Sequence, residues 1–210
     1  MRARRIDARA SARLVCPTTA PVRPASRRSL PIATQPFSAR RLSYAALLVA
    51  AGLTGAYAET IPNFEVLTLV VFCAGVLLGV RDGVLTGVVT MLVYSLLNPY
   101  GAAPPLITLA QVAGEAAAGA AGGMLAALGL IGLPPGPRAL ALAIAAVILT
   151  LFFDVVTNLA TGILLGQVRV ALIGGIPFSL WHIGWNVVLF AGLGTPLVGA
   201  LSRYRSRLSY

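Results

Sequence analysis

The sequence predicts an all-α integral membrane protein: a six-helix transmembrane bundle, N-in and C-in, with a disordered basic N-terminal tail. Three observations predict it. Hydrophobic residues make up 58% of the 210-residue chain and charged residues 10%, with a mean hydropathy of +0.86. The apolar residues fall into six runs separated by Pro-, Gly- and Asn-rich breaks. None shows strand alternation, and an open sheet edge has no place in lipid. The net charge of +10 is also unevenly spread, because positions 1–41 hold ten Arg against Asp7 while 42–210 hold six Arg against five acids.

The tail, 1–41, carries Arg, Ser, Ala and Pro without a sustained apolar run, so it reads as disordered and held near anionic headgroups. Its composition also fits an organellar transit peptide or an upstream start codon. It lacks the apolar segment of a secretory signal, and a dispensable basic extension is the favoured reading. Charge on a tail rather than on a folded face argues against nucleic-acid binding. Cys16 and Cys73 make neither a disulfide framework nor a metal site.

The six spans occupy 42–201. The first is 42–57, short and rich in small residues, ending at Ala58-Glu59-Thr60-Ile61-Pro62-Asn63. The second is 64–80, and Arg81-Asp82-Gly83 turns it tightly into the third, 84–97. Asn98-Pro99-Tyr100-Gly101 and Pro104-Pro105 form the next turn. The fourth runs over 106–130, Pro134-Pro135-Gly136-Pro137-Arg138 breaks the chain, and the fifth covers 139–165. A connection over 166–175 carries Arg169, and Pro177 opens the sixth, ending near 201. Residues 202–210 form a basic cytoplasmic tail. A bilayer core of about 30 Å accepts helices of these lengths. With the N-terminus inside, the inner segments hold the tail's Arg residues, Arg81, Arg138, Arg203, Arg205 and Arg207, and the outer loops hold only Arg169. The positive-inside rule therefore puts both termini in the cytoplasm.

Two stretches interrupt these apolar runs with polar groups. Asp154, Thr157 and Asn158 share one helix face at i, i+3, i+4, and Ser179, His182 and Asn186 share another at i, i+3, i+7. An ionisable group at the membrane centre costs roughly 2.5–3.5 kcal/mol, so such groups normally face a cavity or a partner. At about 1.5 Å per residue, Gln111 and Glu115 lie roughly 8 and 14 Å below the outer end of the fourth span. Asn158 and Asp154 lie about 10 and 16 Å below that of the fifth, and His182 to Asn186 about 8–14 Å below that of the sixth. Tyr94 and Asn98 occupy the outer part of the third. Polar groups confined to the outer halves predict a pocket open outward and closed inward, whereas a channel needs them along its full length. The predicted substrate-binding residues are Tyr94, Asn98, Gln111, Glu115, Asp154, Asn158, Trp181, His182, Trp185 and Asn186.

Each has a packing reading beside the functional one. Asp154 with Asn158 reads equally as interhelical glue. Glu115 reads as protonated or paired with His182, and Trp181 and Trp185 read as interfacial belt residues. The gathering of all of them at one depth favours a site. Enzyme chemistry is not expected. Neither Ser179 nor Ser95 has the Gly-rich, His-paired setting of an intramembrane Ser nucleophile. His182 is the single histidine, which excludes a two-His zinc motif. Asp82 lacks the multi-Asp cluster of a lipid-headgroup transferase, and no P-loop is present to hydrolyse ATP. No cofactor is expected.

Six short spans, the run Ile61-Pro62-Asn63-Phe64-Glu65, the stretch Gly75-Val76-Leu77-Leu78-Gly79-Val80-Arg81-Asp82-Gly83 and the segment Phe153-Asp154-Val155-Val156-Thr157-Asn158 resemble the substrate-binding S component of energy-coupling factor (ECF) vitamin transporters. The resemblance covers 42–201. In that family the turn after the second helix often reads Gly-Pro-Arg, and Val80 stands here where Pro is expected. The family docks on its transmembrane T component through a small-xxx-small motif on the first helix, which Ala46 and Ala50 match here. The resemblance implies a multi-pass protein of the bacterial plasma (inner) membrane that captures a vitamin or related micronutrient from outside. It further implies delivery with a T component and two cytoplasmic ABC ATPases, by toppling of the whole S component. The competing expectation is a small structural or assembly membrane protein whose buried polar residues serve helix packing alone. Two acids, two indoles and two carboxamides suit a nitrogenous heterocycle of hydrogen-bond-donating or cationic character, such as a pyrimidine or thiamine-like compound, with a larger corrinoid as the alternative.

Overall fold

The computed structural model describes residues 38–58, 66–99 and 101–205. Among them the chain is helical, with no strand: α1 Ala39–Tyr57, α2 Leu67–Leu78, α3 Val80–Leu96, α4 Pro105–Ala127, α5 Pro135–Leu164, α6 Val168–Gly174 and α7 Ile176–Arg205. The expectations for 1–37, 59–65, Tyr100 and 206–210, including the run at 61–65 that carries part of the resemblance, lie outside the described residues.

The centre of the bundle is α2, about 18 Å long. Its sequence is apolar on every side, so it has no face to offer water, and every residue but Val70 is buried. α1, α3, α4 and α7 surround it. The close approach of α2, α3 and α4 rests on glycine. A Cβ at Gly83 would sit 2.5 Å from Gly75 Cα and 2.6 Å from Gly119 O, and one at Gly123 would sit 2.6 Å from Val80 Cα. Backbone therefore meets backbone across this three-helix seam, which is how helices gain contact where lipid gives no hydrophobic drive.

The turn expected at Arg81-Asp82-Gly83 lies instead at Gly79, whose φ of +92° suits glycine and lets one residue reverse the chain. Val80 onward is already helical. Asp82 then occupies the first turn of α3, where a carboxylate faces the positive helix end. Residues 38–41 do not belong to the tail. Ser38 caps α1 by accepting from Arg41 N at 3.3 Å. Arg41 donates to Asp82 Oδ2 through Nε at 2.9 Å and Nη2 at 2.7 Å, and also to the Leu78 carbonyl. One guanidinium thus ties α1 to the α2–α3 corner. The same end of the bundle holds Arg138, which donates to Ile131 O and Leu133 O at 2.8 Å and to Thr195 O at 3.3 Å. Arg205 donates there to Val76 O at 3.3 Å. Val76 and Leu78 are among the last carbonyls of α2, which a helix end leaves without intrahelical partners.

The proline-rich break before the fifth span is the first turn of α5, since proline is tolerated where the N–H groups have no intrahelical partner. The connection expected over 166–175 is largely helical. Gly166, at φ +67°, turns the chain, and α6 packs back on α5 at Gly162, where a Cβ would lie 2.6 Å from Val168 Cα. α7 is continuous but widens into a π-helix over Leu189–Gly194. Pro196 has no N–H for the Gly192 carbonyl and its ring crowds that oxygen, so the turn before it opens. α5 and α7, each 30 residues long, are long and apolar enough to cross a membrane. The architecture is that of a helical bundle compatible with a membrane protein.

Candidate functional site

α5 and α7 pack antiparallel, and their register makes a ladder of two polar rungs. His182 Nδ1 lies 2.9 Å from Asp154 Oδ1, and Asn186 Nδ2 donates to Thr150 Oγ1 at 3.0 Å. On both helices the partners are four residues apart, so each pair shares a face and the rungs are separated by one turn, about 6 Å. All four side chains are buried, with Asn186 1% and His182 7% exposed. With Asp154 ionised, His182 Nδ1–H donates to it and Nε2 presents a lone pair. Three buried atoms of this ladder have no hydrogen-bond partner: Asp154 Oδ2, His182 Nε2 and Asn186 Oδ1. A buried polar atom left in that state costs about 1–3 kcal/mol. A single seam therefore holds three polar atoms that no described residue satisfies.

Phe153 closes one side of the ladder. Its ring meets His182 edge-to-face with centroids 6.1 Å apart, and on α4 it lies against Gly114, where a Cβ would come 3.1 Å from Phe153 Cγ. The helix face that carries Gly114 is thereby open to an aromatic ring from α5. Trp181 and Trp185 stack edge-to-face on α7 with centroids 5.6 Å apart. Trp181 is 51% exposed, so it stands on the outer surface of the bundle as a belt residue would, whereas Trp185 is half-buried.

The other predicted residues form separate groups. Glu115, 1% exposed, accepts from the Thr68 hydroxyl at 2.7 Å, which links α4 to the first turn of α2. The pairing of Glu115 with His182 is therefore not formed, because His182 is turned to Asp154 across the α5–α7 seam. Gln111 accepts from Ser95 at 2.9 Å, joining α4 to the end of α3. Tyr94 packs on Tyr57 with centroids 5.7 Å apart, and Tyr57 Oη donates to Leu97 O at 3.3 Å. Asn98 follows α3 and is half-buried. Asn158 shares the face of Asp154 but lies against the α6–α7 corner, where a Cβ at Gly175 would come 2.8 Å from its Cγ. Thr157 donates back to Phe153 O at 2.8 Å within α5. Ala46 and Ala50 are exposed on α1, while Tyr44, Ala45 and Leu48 of the same helix pack on Leu77 and Leu78.

Sequence reasoning missed four residues of these groups: Thr150, Phe153, Thr68 and Ser95. Thr150 had a legible signal, since it stands one turn from Asp154 as Asn186 does from His182. Among the described residues no three His, Cys, Asp or Glu side chains gather as metal ligands. The chain was also compared with known proteins: no family model matches it, and no curated protein and no solved structure matches it.

Proposed function

We propose that this chain is the membrane-embedded substrate-capture subunit of an ECF-type importer, a six-span, N-in/C-in protein of the bacterial plasma membrane. The observation that carries the reading is the α5–α7 ladder, with Asp154 Oδ2, His182 Nε2 and Asn186 Oδ1 buried and unpartnered. A protein that needs polar groups only for packing gains by satisfying them, and a binding seam keeps acceptors ready for a ligand. In this reading the ladder lies in the outer half of the membrane. Asp154 stands ten residues, about 15 Å, from the Leu164 end of α5, and His182 six residues, about 9 Å, from the Ile176 end of α7. Arg41, Arg81, Arg138, Arg203 and Arg205 mark the opposite, cytoplasmic end, which fits the positive-inside rule.

The ladder takes a vitamin or related micronutrient from outside, with the Trp185 indole as the flat apolar surface beside it. The exposed Ala46 and Ala50 form the face of α1 that meets the T component, and two ATPases energise release inward. The packing-only alternative draws on Asn158, whose amide packs against the Gly175 corner. The test is co-expression with the T component and the two ATPases of the same genome, followed by co-purification. The native chain is expected to co-purify as a complex, and Ala46→Trp with Ala50→Trp to break that complex while leaving the isolated chain folded. A native chain that never associates with the module, or a double variant that associates as well as the native one, overturns the assignment.

A further inference from the structure

The unpartnered atoms of the ladder differ from an arbitrary polar set in sign. Asp154 Oδ2 and Asn186 Oδ1 are acceptors, and His182 Nε2 is a third when its Nδ1 proton points at Asp154. One of the two Asn186 amide N–H groups donates to Thr150 at 3.0 Å. At the two rungs Asp154 is the one acidic side chain and His182 the one basic one, while Arg138, which joins the same two helices at Thr195, stands sixteen residues, about 24 Å, along α5 from Asp154. We infer that the α5–α7 seam selects a small ligand that donates N–H bonds, a nitrogenous ring bearing an exocyclic amine or a cationic nitrogen, and rejects carboxylates. This rests on the capture reading above and adds the polarity of what is captured.

The physical reason is that a buried acceptor gains only from a donor, and a carboxylate ligand would bring a second negative charge beside Asp154. An amine or ring N–H reaching Asp154 Oδ2 forms a charge-assisted bond, and a second donor one turn along reaches Asn186 Oδ1. The one-turn spacing of the rungs, about 6 Å, suits two donors projecting from the same edge of one ring rather than a long flexible chain. A ring also suits the aromatic surfaces of Phe153 and Trp185, and a cationic one gains from them further.

The test uses the purified full chain in detergent and three probes. Thiamine presents an aminopyrimidine and a cationic ring, biotin a carboxylate, and riboflavin a neutral ring system rich in carbonyl acceptors. Melting temperature and calorimetric affinity are measured for the native chain and for Asp154→Asn, which keeps an oxygen for His182 but removes the charge. Thiamine is expected to raise the melting temperature and to bind at least tenfold more weakly to Asp154→Asn, with no shift from biotin in either chain. Preferential binding of biotin or riboflavin overturns the polarity and leaves the capture reading standing, since a ligand is still bound. Thiamine affinity that Asp154→Asn does not change overturns it as well. Binding of none of the three overturns the inference, and the capture reading is then judged by association with the transport module alone. If Asp154→Asn does not fold, the order of the three affinities on the native chain decides by itself.

Discussion

Replacing Asn186 by Leu separates a binding ladder from a packing ladder, because the two contributions of this side chain have opposite signs in the empty protein. The substitution removes the bond from Nδ2 to Thr150, and interhelical hydrogen bonds in membranes are worth about 0.6 kcal/mol on average and about 1.7 at most. It also removes Oδ1, which is buried without a partner and costs roughly 1–3 kcal/mol. Leu matches Asn in heavy-atom count and branching, which makes it the nearest apolar replacement at this buried site. The net expectation is an empty protein that melts no lower than the native one. Ligand affinity moves the other way. Loss of the acceptor leaves a ligand donor unpaired, which costs roughly 1–3 kcal/mol, a five- to hundred-fold weaker thiamine complex by titration calorimetry. Both quantities are read on one detergent-solubilised preparation. A melting temperature several degrees lower with unchanged thiamine affinity would refute the reasoning, since it would show Asn186 acting as glue.

Two further predictions concern the frame that holds the ladder. Gly119→Ala drives a methyl group into the Gly83 backbone and is expected to prevent accumulation of folded protein, whereas Gly184→Ala, where a Cβ meets nothing within 4 Å, leaves the melting temperature within a degree or two. Expression and size-exclusion profiles of the pair check this, and equal behaviour would remove glycine packing as the basis of the α2–α3–α4 seam. Arg41→Ala leaves Asp82 and the Leu78 carbonyl without their partner at a largely buried site, and is expected to lower stability by roughly 3 kcal/mol. Arg41→Met combined with Asp82→Leu restores most of that loss, because neither charge is then stranded, and thermal melts of the single and double variants decide it.

The helical class was legible in the sequence because it depends on quantities summed along the chain: apolar fraction, run length and the placing of breaks. The six expected helical runs lie within a few residues of α1, α2, α3, α4, α5 and α7. The errors fall where one residue's conformation outweighs composition. Gly79 takes a positive φ and shifts the turn ahead of Arg81, and Pro135 starts α5 instead of lying in the break before it. α6 was read as a loop because seven residues carry too little periodicity to announce a helix.

The candidate site divides along the same line. Spacing alone put Asp154 with Asn158 on one face and His182 with Asn186 on another, since the angular step between helical residues is fixed. Which face meets which is a matter of rotation and register between helices, and no local pattern encodes it. The sequence offered Glu115 as a partner for His182 and Asn158 as a partner for Asp154. Only the packing of α5 on α7, with Phe153 lying between His182 and Gly114 of α4, turned the imidazole to Asp154 and left Glu115 to Thr68. Asn158 shows the converse. Its sequence position matches that of a ligand residue, yet the fold of α6 back onto α5 brings Gly175 against its amide. The sequence determined which side chains are polar and how they are spaced along each helix, because both are properties of single helices. The tertiary structure decided which of those side chains satisfy one another and which three atoms are left over, because a hydrogen bond needs two helices in one register.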